Sequence, residues 1–239
     1  MRKILVTNDD GIMADGMLRL VRAAKQFGEV WVVAPASQRS AVSHAIHLRE
    51  PISIKEVSYS VEGVRAFASS GTPADCVRVG SLSVMPYKPD VVLTGINYGC
   101  NVASDIQYSA TAGAAFEAAF QGYRAIAFSE KAEECHEVTD AYLSVLLEEY
   151  IDHWPGKNRI ININFPGGRL ADCKGICRNV RTSEGAFFHD RYNLLEEKED
   201  GTKLYMVEGI YNEDAEEGTD FRAIVEKYVS VGIVANVGQ

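Results

Sequence analysis

Residues 4–11 read ILVTNDDG, an apolar run rich in β-branched residues that passes directly into a polar turn. Such a run is typical of a buried β-strand followed by a loop. Apolar residues at helical spacing follow Asp15, with Gly28 as the predicted C-cap, and residues 30–34 (VWVVA) predict a second buried strand. A strand, a helix and a strand within about thirty-five residues predict a βαβ unit with parallel strands and a right-handed crossover.

The same alternation of strand and helix patterns continues to residue 165. Thr72 is a predicted N-cap, with Pro73 at the first helical position and Asp75 three residues after the cap. The other predicted elements are a hairpin within residues 52–68, strands at 91–94, 125–128 and 160–165, and helices at 73–82, 112–121 and 133–152. This order predicts an α/β fold with a three-layer, doubly wound, Rossmann-like and mostly parallel sheet.

The pattern changes at the end of the last predicted strand. From residue 167 the segments become short, polar and irregular, and residues 204–210 look like a strand with no evident partner. We therefore predict a Rossmann-like core at residues 1–166 and a β-rich C-terminal extension at residues 167–239. The extension is a candidate oligomerisation arm, since an edge strand that lacks a partner can pair with another chain.

Composition narrows the classes of partner and compartment. The chain has 239 residues, 46% of them hydrophobic, and a formal net charge of −9, so long nucleic acid is not an expected partner. The apolar run near Met1 is too short for a signal peptide, and no segment approaches the roughly 20 apolar residues of a membrane span. The five cysteines are scattered and odd in number, which favours reduced thiols. We expect a soluble cytoplasmic protein without membrane contact.

Polar side chains follow three of the predicted strands. Asn8, Asp9 and Asp10 follow the first strand, Ser40 follows the second, and Asn97 follows the third. Ligands of doubly wound sheets bind outside the carboxyl ends of the strands, so these loops are expected to meet. Adjacent carboxylates repel each other unless a cation intervenes, and oxygen ligands suit a hard cation. The residues indicate one divalent cation, Mg²⁺ or Mn²⁺, with a simple helix-capping turn as the alternative.

Two hydroxyl residues lie just before a predicted helix. Ser109 and Thr111 can cap that helix or donate hydrogen bonds to a phosphate, and the two roles can coexist. Arg39 can add positive charge to the site or serve an exposed structural role. A cation that retains open positions beside such donors is typical of sites that bind substrate phosphate.

Several of these segments occur together in one known family. The chain resembles the SurE (stationary-phase survival protein) family of 5′/3′-nucleotidases. The resemblance rests on residues 4–11 (ILVTNDDG), 33–35 (VAP) with Arg39 and Ser40, 71–77 (GTPADCV), and 95–99 (GINYG) continuing through Asn101, Asp105, Tyr108 and Ser109. It is close over residues 1–130 and weaker around residues 162–166.

This resemblance implies a function and a site. It implies a 5′-nucleotidase that hydrolyses the phosphomonoester of nucleoside 5′-monophosphates, and also of 3′-monophosphates, on a Rossmann-like core. It implies one divalent cation per subunit, bound by Asp9, Asp10, Ser40 and Asn97, and a homodimer or homotetramer with exchanged C-terminal segments. The chain departs from the family pattern at Ala110, within the usual Ser-Gly-Thr, and at Ala103, where glycine is common. Each change adds a methyl group beside the expected phosphate pocket.

The expected reaction is a direct attack of water on phosphorus. Asp9 or Asp10 orients the water or accepts its proton, and the phosphate oxygens receive hydrogen bonds. The expected catalytic residues are Asp9, Asp10 and Asn8, and the expected phosphate-binding residues are Asn8, Ser40, Ser109 and Thr111. The alternatives are a covalent route with Ser40, assisted by His44 as base, or an aspartate as nucleophile, a nucleotide-binding module without turnover, and a metal-dependent glycosyltransferase.

Overall fold

The structure is a computed structural model that describes residues 1–212 and 214–236. The predicted extension therefore includes Glu213 and residues 237–239, which lie outside the described residues. The strands are β1 Arg2–Thr7, β2 Gly28–Pro35, β3 Ile54–Val57, β4 Arg65–Ser69, β5 Val91–Tyr98, β6 Arg124–Glu130, β7 Arg159–Phe165, β8 Ile176–Arg178, β9 Phe188–Glu197, β10 Lys203–Tyr211 and β11 Val229–Ala235. The helices are α1 Asp15–Ala24, α2 Pro73–Val79, α3 Ala110–Phe120, α4 Glu137–Tyr150 and α5 Asp220–Val225.

A nine-stranded sheet in the order β3-β4-β2-β1-β5-β6-β7-β11-β8 forms the centre of the molecule. The six strands from β4 to β7 are parallel, as the predicted crossovers require. From β1 the chain runs through β2 to β4 on one side and through β5 and β6 to β7 on the other. The strand order thus reverses between β1 and β5, which is where ligands bind in doubly wound sheets. The predicted α/β class is confirmed.

Helices cover both faces of the sheet and bury alternate residues of each strand. Ile4 and Val6 of β1 pack on the α1 and α4 side, whereas Leu5 packs on the α2 and α3 side. Near-continuous apolar strands are expected when both faces of a parallel sheet are covered. No helix in the described ranges combines the length and the apolar character needed to cross a bilayer.

The predicted extents of two helices are wrong, and one predicted cap is confirmed. Helix α1 ends at Ala24, and Gly28 opens β2 instead of capping the helix. A Cβ at Gly28 would lie 2.3 Å from the carbonyl oxygen of Arg2, its β1 partner, so the close strand approach requires glycine. Helix α4 spans Glu137–Tyr150 and is shorter at both ends than predicted. Thr72 caps α2, since its Oγ1 accepts a hydrogen bond from the backbone nitrogen of Asp75 at 3.1 Å.

The C-terminal segment contributes to the central sheet as well as extending from it. Strand β11 inserts antiparallel beside β7, and β8 pairs with β11. Strand β10 pairs antiparallel with β9 in a separate two-stranded hairpin. Strand β9 is thus the partner of residues 204–210, which the sequence pattern did not indicate. Polar and charged residues interrupt the apolar alternation of β9, so the sequence pattern does not predict this strand. The division of the chain at residue 166 stays a prediction.

Candidate active site

The loops after β1 and β2 are joined by backbone hydrogen bonds. The nitrogen of Ile12 donates to the carbonyl of Pro35 at 2.9 Å, and the nitrogen of Arg39 donates to the carbonyl of Asp9 at 2.7 Å. Gly11 has a φ of +104°, a left-handed conformation that turns the chain toward the β2 loop and favours glycine. These contacts hold the Asp-Asp pair beside the loop that carries Ser40.

Asp9 is a buried carboxylate. It is 3% exposed, and its Oδ1 accepts a hydrogen bond from the hydroxyl of Thr111. Burial raises the pKa of Asp9 to about 7, the Thr111 hydrogen bond opposes that rise, and the charge of Asp10 adds to it. A protein without a nearby cation therefore holds this carboxyl at the border between its neutral and ionised forms at neutral pH.

Asp10 is half-buried and faces the end of β5. Its Oδ2 accepts a hydrogen bond from the backbone nitrogen of Tyr98 at 3.0 Å, and its Oδ1 lies 3.4 Å from Nε2 of Gln38. Burial raises the pKa of Asp10, the hydrogen bonds from Tyr98 and Gln38 oppose this, and the charge of Glu130 adds to it. Both carboxylates of the pair are therefore less acidic than ordinary aspartates.

Ser40 reaches the same site through Gln38. Nε2 of Gln38 donates to Oγ of Ser40 at 3.0 Å and also contacts Asp10, so one amide group joins the two predicted metal ligands. The sequence does not indicate this role of Gln38, because only its position in the loop after β2 links it to the site. Arg39 is exposed and donates to the carbonyl of Ser70 at 3.1 Å, which is its structural role.

Asn97 lies one residue before Tyr98 at the end of β5. Its Nδ2 donates to the carbonyl of Gly99 at 2.6 Å, which fixes the amide plane and leaves Oδ1 as the end able to bind a cation. Gly95 shapes this strand end, since a Cβ there would lie 2.1 Å from the carbonyl oxygen of Phe128 and its φ is +121°. The peptide bond from Gly95 to Ile96 is cis.

The N-terminus of α3 completes the site. Oγ of Ser109 accepts a hydrogen bond from the nitrogen of Ala112 at 3.0 Å, which confirms the predicted cap and leaves the hydroxyl proton free to be donated. Gly113 allows this helix to approach the β2 loop, because a Cβ would lie 2.4 Å from the carbonyl oxygen of Ser43. The hydroxyl of Thr111 donates its hydrogen bond to Asp9, so its first role is to hold that carboxylate in place.

Asn8 is fully buried and shapes the loop. Its Nδ2 donates to the carbonyl of Gly11 at 2.8 Å, while its Oδ1 is buried without a hydrogen-bond partner in the described chain. A buried carbonyl oxygen without a partner is costly unless a ligand or water satisfies it. The catalytic and phosphate-binding roles of Asn8 stay predictions.

A distant residue supports the loop that leads into α3. Asp220, in α5, is buried and accepts hydrogen bonds from the backbone nitrogens of Ala103 at 3.2 Å and Ser183 at 2.9 Å. Ala103 has a φ of +54°, in the left-handed region that favours glycine. Burial raises the pKa of Asp220 to about 6, against the lowering effect of its backbone hydrogen bonds. No local sequence signal linked Asp220 to this loop, because the two residues are 117 positions apart.

The donor set fits a hard divalent cation. Two adjacent carboxylates with raised pKa values gain most from a cation between them, because it offsets both burial and mutual repulsion. No cluster of three or more His, Cys, Asp or Glu side chains suited to a metal occurs in residues 1–212 and 214–236. A cation here would therefore depend on the Asp pair together with neutral oxygens, which is the ligand chemistry of Mg²⁺ and Mn²⁺.

His44, the candidate base for Ser40, contacts helix α3. Its Nε2 lies 2.8 Å from Oε2 of Glu117, and its ring stacks on Phe120 at a centroid distance of 5.4 Å. Glu117 also binds Arg78 at 2.9 Å. His44 thus packs against α3 and makes no hydrogen bond to Ser40 within the described residues, so its contacts give no support to the covalent route in which it activates Ser40.

Comparison with known proteins identifies the family of this chain. The family model described as Survival protein SurE matches residues 4–186. The 5′-nucleotidase SurE of Thermosipho melanesiensis is 37% identical over 230 residues, covering 95% of this chain and 89% of its own. The 5′-nucleotidase SurE of Clostridium botulinum (strain Loch Maree) is 38% identical over 234 residues, covering 95% and 90%. The crystal structure of the SurE protein from Aquifex aeolicus superposes with a TM-score of 0.82 at 30% identity, covering 99% and 94%. The chain, which carries Asp9, Asp10, Ser40 and Asn97 at or just after the ends of three neighbouring strands, therefore belongs to the SurE family.

Proposed function

We propose that this protein is a metal-dependent 5′-nucleotidase that hydrolyses nucleoside monophosphates to nucleoside and phosphate. The observation that supports the proposal is that the Asp9-Asp10 pair, Ser40 and Asn97 lie at or just after the ends of three neighbouring strands, with Gln38 in contact with both Asp10 and Ser40. The names of the relatives at 37% identity support the same activity. Substrates with the phosphate on the 5′ position are the main class proposed, and 3′-monophosphates are the second.

The proposed cofactor is one Mg²⁺ or Mn²⁺ ion per subunit, held by Asp9, Asp10, Ser40 and Asn97. When bound, such an ion lowers the pKa of a coordinated water and neutralises charge on the phosphoryl oxygens. Nε2 of Gln38 donates to Oγ of Ser40 and contacts Oδ1 of Asp10. When Ser40 and Asp10 both bind the ion, this amide would either rotate away or keep its hydrogen bonds to the same oxygens.

The side chains divide the remaining work. Asp9, held by Thr111, orients the attacking water and accepts its proton. Ser109 donates its free hydroxyl proton to a phosphate oxygen while its oxygen caps α3. The free backbone amides at the N-terminus of α3 lie beside Ser109 and favour an anion there. The buried setting of Asp9 excludes bulk water from the reacting carboxylate, which strengthens these interactions.

A phosphate-release screen tests the proposal. The purified chain is assayed with nucleoside 5′- and 3′-monophosphates, with diphosphates and with Mg²⁺, Mn²⁺ or excess chelator. Release from monophosphates is expected with a divalent cation only. Asp9→Asn and Asp10→Asn are each expected to lower kcat/KM by about a thousandfold or more, because each removes charge from the ion site.

The control for these variants is Asp172→Asn, which removes an exposed carboxylate that pairs with Arg169 and should leave the rate unchanged. Circular dichroism checks that each variant is folded. Full activity in both Asp variants, or in excess chelator, would contradict the proposal.

We further propose that a second copy of this chain covers one face of the β9–β10 hairpin. Tyr192 pairs with Val207, and Leu194 pairs with Tyr205, so these four apolar side chains share one face. All four are exposed, and an isolated two-stranded hairpin is marginally stable in water. A dimer or tetramer built through this face would bury the exposed apolar side chains and add contacts that stabilise the hairpin.

The cytoplasm is the proposed compartment. All five cysteines are free in the described structure, including the partly exposed Cys135, Cys173 and Cys177. Free, accessible thiols persist in a reducing environment.

A further inference from the structure

A cavity of about 280 Å³ opens beside Asp10, on the α1 side of the sheet. We call it the side cavity. Asp10 and Gln38, which belong to the proposed ion site, line it together with Glu130 and His136. Its volume lies near the lower limit for small-molecule sites, so it suits a compact ligand that extends away from the ion.

The side cavity is built into the fold. Gly16 and Ile96 both line it, and a Cβ at Gly16 would lie 2.2 Å from the carbonyl oxygen of Ile96. Helix α1 can therefore approach the end of β5 this closely only with glycine at that position. The wall between the two elements is fixed by this contact, so the cavity is a feature of the packed protein.

The part of the side cavity that Glu130 lines favours a neutral polar group. Glu130 is buried, forms an ion pair with Arg19 and accepts a hydrogen bond from Thr139 at 2.7 Å. Arg19 also binds Asp15 at 2.8 Å and Asp140 at 3.4 Å, so carboxylates outnumber this guanidinium. An additional phosphate would be repelled there, whereas an uncharged donor or acceptor would not.

His136 supplies an atom that lacks a partner. Its Nδ1 lies 3.2 Å from Oε2 of Glu130 without forming a hydrogen bond to it. This Nδ1 is buried and has no hydrogen-bond partner in the described chain. A buried polar atom of this kind in the wall of a cavity is satisfied when a ligand or a water binds there.

Tyr98 joins the side cavity to the ion site. Its backbone nitrogen donates to Asp10 at 3.0 Å, and its side chain lines the cavity with half of its surface exposed. An aromatic ring placed this close to a phosphate site can stack on a nucleobase, because every base has a π-face. We propose that the side cavity binds the nucleoside part of the substrate, with the base stacked on Tyr98 and its polar edge toward His136. This inference rests on the proposed nucleotidase function.

The experiment compares adenosine 5′-monophosphate with ribose 5-phosphate, which has the same sugar phosphate and no base. The measured quantity is the ratio of kcat/KM for the two substrates. Tyr98→Ala and His136→Ala should each lower this ratio, about tenfold for Tyr98→Ala, mainly through KM for the nucleotide. Ala14→Leu, which fills the cavity from its wall, should lower the ratio as well.

The matched control is Tyr108→Ala. Tyr108 is an aromatic residue with 63% exposure that does not line the side cavity, so its loss should leave the ratio unchanged. An unchanged ratio in Tyr98→Ala, His136→Ala and Ala14→Leu would overturn the inference. An equal fall in the Tyr108→Ala control would also overturn it.

Calorimetric binding of adenosine alone separates this inference from the activity. The wild-type chain should bind adenosine, and Ala14→Leu should bind it at least about tenfold more weakly. Absence of phosphate release with intact, Ala14-sensitive adenosine binding would reject the nucleotidase function and keep the cavity assignment. Phosphate release without any adenosine binding, or binding that Ala14→Leu does not change, would reject the cavity assignment.

Discussion

The hydroxyl of Thr111 donates a hydrogen bond to the carboxylate of Asp9 across 102 positions of sequence. Both side chains are buried, and the bond connects the first turn of α3 with the end of β1. It opposes the rise that burial causes in the pKa of Asp9. The helix that caps itself with Ser109 thus also adjusts the acidity of the proposed metal ligand.

Thr111→Val should weaken metal binding. Loss of the hydroxyl removes a hydrogen bond that favours the ionised form of Asp9, so the pKa of Asp9 rises above about 7 and less carboxylate is available at neutral pH. The apparent Kd for Mn²⁺ should rise about tenfold, and the acid limb of the pH–rate profile should move to higher pH. Calorimetry and the pH–rate profile measure the two effects. Ser81→Ala, which removes a different buried hydroxyl, should change neither.

The metal-free protein should lose stability as pH rises. The folded-state pKa of Asp9 is raised from 3.8 to about 7, so between these values the folded state holds a proton that the unfolded state has released. The stability that comes from protonated Asp9 is fully present below about pH 4 and is lost by about pH 7. The free energy of unfolding should fall by roughly 1.4 kcal/mol per pKa unit, and by at most about 4 kcal/mol in total. Urea unfolding at several pH values measures this.

Asp9→Asn is the comparison for this pH series. The variant should show a smaller fall in the free energy of unfolding between pH 4 and pH 7, since the remaining slope comes from groups such as Asp220, whose pKa is raised to about 6. Mn²⁺ should reverse the trend in the wild type alone, because it binds the ionised carboxylate. Parallel slopes in the wild type and the variant would contradict the assignment of the proton to Asp9.

The two alanines that depart from the family pattern should respond differently to glycine. Ala103 has a left-handed φ of +54°, so Ala103→Gly relieves about 1 kcal/mol of strain but loses a buried methyl group of similar value, and the net change should be small. Ala110 is the first residue of α3 and is fully buried, so Ala110→Gly should destabilise by about 1 kcal/mol. Urea unfolding compares the two variants directly. Equal destabilisation would mean that the conformation of Ala103 costs nothing.

The hairpin face should determine the oligomeric state. Leu194→Glu places a charge among Tyr192, Tyr205 and Val207, so the assembly should dissociate to a smaller species in light scattering. Met206→Glu introduces the same charge on the opposite face and should leave the mass unchanged. A wild-type monomer, or an unchanged mass for Leu194→Glu, would contradict the proposed interface.

Local patterns in the sequence were sufficient for much of the core. The apolar runs of β1, β2, β5, β6 and β7 marked the buried strands, and the Thr72 cap marked the start of α2. Because parallel strands end at a common edge, the same patterns predict that Asp9, Asp10 and Asn97 lie at one edge of the sheet. These inferences depend on periodicity and on steric rules that act over a few residues.

Relations between distant segments could not be read in this way. The antiparallel insertion of β11 beside β7, the pairing of β9 with β10, and the hydrogen bond from Ala103 to Asp220 join segments whose local patterns carry no record of the partner. The Thr111–Asp9 bond and the link made by Gln38 are of the same kind. Composition and periodicity in this chain specify which residues are buried and where each strand ends, because those are local properties. Which buried group then meets which depends on how the layers pack, because a hydrogen bond forms only after folding has brought both atoms within about 3 Å.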